Sequence, residues 1–198
     1  MSDDKPGIHR FLLRVVIWLP LAFAAWYLFA PALIRPVVFV TDWVLSTFMP
    51  QVITEIGQQG NRLRVVTALG DGAGSRIGFA LNPLMYGYSL PLLAALILAV
   101  PESLNDKWGK LLWGVLLLVP VQAWGLSFEV LKVIALKLPV ATTAAVGITD
   151  TAREFIALGY QFGYLILPAV SPLVIWLALY RNFVGDLVPQ LAATRRGK

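Results

Sequence analysis

The chain contains no cysteine and only one histidine, His9, and 14% of its 198 residues are charged. The absence of cysteine excludes disulfides, thiolate nucleophiles and cysteine-ligated metal sites. A lone histidine without companion carboxylates is not a metal or acid–base site, so we interpret His9 as a residue at the membrane edge. With so few reactive side chains, we predict a protein that is not an enzyme and that holds no cofactor and no metal.

Hydrophobic residues, in contrast, make up 58% of the chain, and the mean hydropathy is +0.74. A transmembrane helix needs a run of about 20 apolar residues. Four such runs occur, at about residues 11–34, 83–100, 111–130 and 160–180. The sequence therefore predicts an all-α membrane protein in which residues 1–198 form a single membrane domain with four transmembrane helices.

The net charge of +5 does not indicate a nucleic-acid partner, because the basic residues form no stripe with interleaved aromatic side chains. Basic residues in short segments beside a membrane span mark its cytoplasmic side. Nine of the 16 basic residues lie before the first run or in its first turn, between the second and third runs, or after the fourth: Lys5, Arg10, Arg14, Lys107, Lys110, Arg181, Arg195, Arg196 and Lys198. We expect both termini to be cytoplasmic and residues of about 35–82 and 131–159 to be extracytoplasmic.

The first extracytoplasmic segment contains the signals of a small antiparallel sheet. Leu63, Val65 and Thr67 alternate with Arg62 and Arg64 after a turn at residues 58–60, and a third alternating run covers residues 76–82. Before the sheet, residues 36–49 are interpreted as a separate interfacial helix that ends before Pro50. The glycine-rich linker at residues 70–75 lacks the strand-then-helix context of a phosphate loop and is read as a flexible turn.

The second extracytoplasmic segment begins with a helix that we expect to bend along the membrane surface and to stop at Pro139. Thr149 or Thr151 is a candidate cap for the next helix. Glu129 is the acidic residue of most interest, because an ionisable group near the hydrocarbon normally faces a partner. A local ion pair with Lys132, three residues later, and a contact with a partner both remain open.

The stretch "NPLMYGYSLP", residues 82–91, is unusual for the start of a membrane helix. Asn82 is a good cap, and Pro91 cannot donate a hydrogen bond to the carbonyl of Gly87, so we expect a kink. Glycine allows close helix approach. The partner-binding residues that we predict are Asn82, Tyr86, Gly87, Tyr88 and Glu129, although an ordinary aromatic belt with a proline kink explains the stretch almost as well.

The order of these parts resembles a known family, the exosortase H-associated membrane proteins of the bacterial inner membrane. The resemblance is carried by "GNRLRVVT", "LNPLMYGYSLPLLAAL" and "WGLSFEVLK". Exosortases are polytopic, transpeptidase-like enzymes that process proteins bearing a C-terminal sorting tag and depend on Cys, Arg and His. Since this chain has no cysteine, the resemblance implies an accessory role rather than exosortase activity.

Three functions follow from these observations. The first is a non-enzymatic accessory subunit that lies in the lipid bilayer and binds an exosortase or its tagged substrate. The alternative is a small membrane carrier or channel subunit, with Gln122, Glu129 and Lys132 lining a polar path. A third, an intramembrane hydrolase that uses Glu129 or Asp42, lacks any positioned partner group.

Overall fold

The computed structural model describes residues 8–70, 74–139 and 146–185. Lys5, the basic residues after position 185 and the centre of the linker at 70–75 therefore lie outside the described residues. The elements, in chain order, are α1 (Ile8–Phe48), β1 (Ile53–Gln59), β2 (Arg62–Gly70), β3 (Arg76–Leu81), α2 (Leu84–Gly87), α3 (Ser89–Ala99), α4 (Leu104–Lys132), a π-helical segment (Val133–Lys137), α5 (Asp150–Gln161), a second π-helical segment (Phe162–Ile166) and α6 (Leu167–Leu179).

Within the described residues, three helical stretches are long and apolar enough to cross a membrane: Ile8–Phe48, Leu104–Lys137 and Asp150–Leu179. A fourth apolar stretch, Leu84–Ala99, is shorter than the ~20 residues that a full crossing requires. The chain is therefore a mostly helical, multi-pass membrane protein with a small sheet, whereas the predicted number of four spans is not confirmed.

The first helix is longer than the sequence indicated. The separate interfacial helix over residues 36–49 was a wrong prediction, because α1 continues without interruption to Phe48. The buried residues of this part follow the helical spacing of one face: Ile34, Val37, Val38, Thr41 and Leu45. This buried face keeps the last turns of α1 helical until the chain reaches Pro50, two residues after the helix ends.

The three strands form an antiparallel sheet in the order β1-β2-β3, which confirms the predicted β element. Leu63, Val65 and Thr67 are fully buried, and Arg62 and Arg64, which alternate with them, are exposed, as the sequence indicated. The side-chain amide of Gln58 donates to the carbonyl oxygen of Pro31 in α1 at 2.7 Å. The inner face of the sheet belongs to the same buried cluster as residues of α1 and α4, which supplies the packing that an isolated three-stranded sheet lacks.

The residues separate into two compact units. One unit holds the described parts of Met1–Leu28, Ser89–Leu118 and Val170–Lys198, and the other holds the described parts of Phe29–Tyr88 and Val119–Ala169. In the first unit, the ring of Phe11 at the start of α1 stacks on that of Trp176 near the end of α6, with the centroids 5.4 Å apart. The start of α1 and the end of α6 therefore lie together.

The turn between α3 and α4 belongs to the same region of the first unit. Lys107 is buried, and its ammonium group donates to the carbonyl oxygen of Leu98 at 2.9 Å. Arg14 of α1 lines one cavity together with Pro101 and Lys107. The ammonium group of Lys110 lies 4.0 Å from the centre of the Tyr180 ring. The turn and the first residues of α4 thus lie beside the start of α1 and beside Tyr180, which follows α6.

Candidate functional site

The candidate site lies in the second unit and is built around Tyr86 of α2. The side-chain oxygen of Asn82 accepts a hydrogen bond from the backbone N–H of Leu84 at 3.2 Å, which fixes the start of this short helix. The helical run is interrupted at Tyr88. This interruption is the local effect expected from Pro91, whose missing N–H leaves a carbonyl of the preceding turn without its helical partner.

The ring of Tyr86 is 1% exposed and occupies a notch formed by two glycines. A Cβ atom added to Gly125 of α4 would overlap the Tyr86 ring and would lie 3.1 Å from the carbonyl oxygen of Gly163. A Cβ atom added to Gly163, in the second π-helical segment, would lie 2.8 Å from the Cα atom of Gly125. Only glycine at both positions lets the backbones approach this closely while leaving room for the tyrosine.

Polar and aromatic side chains continue from the notch in an unbroken series. The hydroxyl group of Tyr86 interacts with the carboxylate of Glu129, and Glu129 Oε1 lies 3.8 Å from Lys132 Nζ. The same ammonium group is 3.5 Å from the centre of the Tyr160 ring, and that ring stacks on Tyr164 at 5.7 Å with an interplanar angle of 5°. Tyr164 closes the series by packing edge-on against Tyr86 at 6.3 Å.

This arrangement satisfies two charges that would be costly beside hydrocarbon. Glu129 is 8% exposed, and the side chain of Lys132 is 13% exposed. Each charge has the other as a counter-ion, and the lysine has an additional cation–π contact. The local ion pair, one of the two interpretations left open for Glu129, is therefore present. Gln122, seven residues earlier, is also buried.

Both π-helical segments border this series. Val133–Lys137 begins directly after Lys132, and Phe162–Ile166 contains Gly163 and Tyr164. A π-helical turn inserts an extra residue and shifts the side chains that follow it around the helix axis. Such turns often occur at functional sites, and here they border the ion pair and the glycine notch.

The structure distributes the five predicted partner-binding residues between interior and surface. Tyr86, Gly87 and Glu129 are buried within the chain. Asn82 is exposed and Tyr88 is half-buried, so these two retain side-chain surface that another molecule could reach. The binding role of all five stays a prediction.

Gly125 and Gly163 are residues that the sequence interpretation missed, because Gly87, within the tyrosine pair, was the glycine predicted to allow close helix approach. A signal was present: each is a glycine within an otherwise apolar, membrane-length helix, where small residues mark close helix packing. Among the residues that the structure describes, no group of three or more His, Asp or Glu side chains is placed to hold a metal ion.

These features define a multi-pass membrane protein whose short tyrosine-bearing helix is inserted against a buried ion pair. The chain belongs to the exosortase H-associated membrane protein family, whose family model matches residues 5–183. The resemblance drawn from the sequence is thereby confirmed. No curated protein and no solved structure matches the chain.

Proposed function

We propose that the protein is a non-enzymatic accessory subunit of an exosortase-type protein-sorting system in the bacterial inner membrane. The observation that carries this proposal is family membership across residues 5–183, nearly the whole chain. The structure supports a binding role rather than a catalytic one, since Glu129 and Lys132 are paired with each other and the lysine also contacts the ring of Tyr160. The partner is the exosortase or its tagged substrate.

We further propose four crossings with both termini in the cytoplasm. Because the start of α1, the turn after α3 and the end of α6 lie together, the chain must return to this end after α1 has left it. Leu84–Ala99 is the segment available for that return. A short apolar helix can cross when the bilayer thins locally. The basic residues at this end, Arg14, Lys107 and Lys110, favour the cytoplasmic side.

Within this arrangement, the predicted site residues divide their roles. Asn82 and Tyr88 provide surface for contact with the partner, since both retain exposed area. Tyr86, Gly87 and Glu129 hold the short helix in place from inside the chain. The buried series makes α2 a rigid support, and a rigid support lowers the entropic cost of binding.

Copurification from native membranes tests the proposal. The affinity-tagged protein is solubilised in mild detergent, and coeluting proteins are quantified against a tagged, unrelated multi-pass inner-membrane protein at equal abundance. We expect an exosortase, or a protein bearing its sorting tag, to be enriched well above this control. Equal recovery of the exosortase and of the tagged cargo with both baits would reject the accessory role.

The carrier or channel alternative requires its own measurement. A transport role needs Glu129 or Lys132 to bind or release a solute, whereas the structure shows the two paired at 3.8 Å. Solute or ion flux into proteoliposomes that contain the purified protein, above protein-free vesicles, would favour the carrier. Absence of flux together with exosortase recovery would favour the accessory subunit.

A further inference from the structure

The face of the sheet that points away from the buried cluster has an unusual composition. We call it the arginine face and define it as Glu55 and Gly57 of β1, Arg62, Arg64 and Val66 of β2, and Arg76, Gly78 and Ala80 of β3. Its three arginines and its glutamate are exposed, as are Gly78 and Ala80. The opposite face carries Leu63, Val65 and Thr67 and is buried.

The strand register places Arg64 among very small neighbours. Arg64 pairs with Gly57 on one side and with Ala80 on the other. In the next row, Val66 pairs with Glu55 and with Gly78. The centre of the arginine face is therefore flat, because the residues around Arg64 have little or no side chain. Arg64 is the one long cationic side chain there.

The fold does not require glycine at these positions. A Cβ atom at Gly57 would meet its nearest neighbour, Glu55 Oε1, at 3.8 Å, and one at Gly78 would meet the carbonyl oxygen of Val65 at 3.5 Å, both ordinary contacts. Neither glycine has a positive φ, unlike Gly60 in the hairpin turn. Glycine weakens a strand relative to residues with side chains, and in strands it often marks the close approach of another backbone.

The charge of the face specifies what would approach. Three arginines stand against the single carboxylate of Glu55. In the part of the chain that the structure describes, no ion pair involves Arg62, Arg64 or Arg76. The planar guanidinium group binds carboxylates through two parallel hydrogen bonds. The flat, cationic arginine face is thus complementary to an extended chain with acidic side chains.

We infer that the arginine face binds an extended acidic polypeptide segment, whose backbone lies over Gly57 and Gly78 while its carboxylates pair with the arginines. Naming a protein segment as the ligand rests on the proposed accessory function. As defined, the arginine face includes neither Asn82 nor Tyr88, and Asn82 directly follows the last residue of β3.

Binding can be measured on the full-length protein in nanodiscs of phosphatidylcholine. The probe is a fluorescein-labelled peptide of alternating Glu and Ser, with an alternating Lys and Ser peptide as its charge control. We expect fluorescence anisotropy to show binding of the acidic peptide only. Arg64→Gln should weaken it about tenfold, the effect of losing a charge-assisted hydrogen bond, whereas Arg181→Gln, outside the sheet, should leave it unchanged.

The glycines provide the sharper test, because their replacement should weaken binding without weakening the fold. The double variant Gly57→Thr with Gly78→Thr introduces residues that favour strands. Their side chains would occupy the space over which the bound backbone is proposed to lie. We expect unchanged or higher thermal stability and at least a fivefold loss of acidic-peptide binding. Gly109→Ala, with nothing within 4 Å of its Cβ position, is the matched control. Undiminished binding by the double variant would overturn the inference.

Two further results would also decide against it. Equal binding of the basic and acidic peptides would remove the charge argument. The face would instead be assigned to lipid headgroups by a different set of results. In that case wild-type nanodiscs would bind phosphatidylglycerol vesicles, Arg64→Gln would abolish this binding, and neither peptide would bind. Copurification separates this inference from the proposed function: an exosortase recovered equally with wild type and the glycine variant leaves the function intact, and peptide binding by the same variant decides the inference independently.

Discussion

Tyr86 fills the space beside Gly125 of α4, so that a single added methyl group on the glycine would overlap the tyrosine ring. The contact joins two segments that are distant in sequence. It places the tyrosine hydroxyl beside Glu129, one helical turn further along α4. The position of α2 therefore depends on the absence of a Cβ atom at Gly125 of α4.

Gly125→Ala should lower the stability of the protein by roughly 1–3 kcal/mol through overpacking against Tyr86. Thermal unfolding in detergent measures the effect. Gly109→Ala is the matched control, since its Cβ position has no neighbour within 4 Å and alanine is the better helix former by about 1 kcal/mol. Indistinguishable melting temperatures for the two variants would contradict the claim that Tyr86 packs too closely on Gly125 to allow a side chain there.

Loss of one partner of the buried ion pair should cost more than loss of both. Glu129→Gln leaves Lys132 with its charge and without its counter-ion, so we expect reduced membrane abundance and a lower melting temperature, corresponding to a loss of about 3 kcal/mol in stability. Adding Lys132→Gln to Glu129→Gln should recover part of this loss. A double variant as unstable as the sum of the singles would show that the pair is not coupled.

The same Glu129 variant distinguishes assembly from chemistry. We expect it to reduce sorting only in proportion to the amount of assembled protein, while His9→Ala, a change at an exposed residue, leaves sorting intact. Sorting activity divided by membrane abundance is the relevant measurement. Lost sorting at normal abundance, with the partner still bound, would indicate catalysis or transport instead.

Tyr88→Ser should decrease partner recovery at unchanged membrane abundance, because Tyr88 is only half-buried and a lost interfacial hydrogen bond costs about 1 kcal/mol. Tyr27→Ser, at a tyrosine that is 62% exposed on α1, is the control for general effects on the aromatic belt. Gly87→Leu is a less specific test, since Gly87 is buried within the chain. Undiminished recovery with Tyr88→Ser would count against docking at α2.

Reporter fusions test the proposed topology. A fusion at Gly74, next to β3, should be active in the periplasm, and one at Asn105, in the first turn of α4, should be active in the cytoplasm. Fusion points at Ala145 and Ala193 follow the same logic but lie outside the described residues. A cytoplasmic signal from Gly74 would overturn the arrangement of the spans.

Several features could be predicted from the sequence because their causes are local. The alternation around residues 62–67 indicated which side of β2 is buried, since successive strand residues point to opposite faces. Thr149 was one of two candidate caps, and its hydroxyl oxygen does accept from the backbone N–H of Ala152 at 3.2 Å. Proline, glycine and threonine act within a few residues of their own position, and a single sequence records such effects directly.

Other features depended on contacts between distant segments. The last turns of α1 remain helical because their buried face packs in a cluster with the sheet and α4, and no rule of local sequence contains that information. Tyr86 read as a surface residue until Gly125 and Gly163 supplied the notch that buries it. The sequence by itself determined the membrane character, the sheet and the family, through hydropathy, alternation and residue order. Only the tertiary structure decided that Tyr86 lies inside the protein, because this depends on how closely two helix backbones can approach.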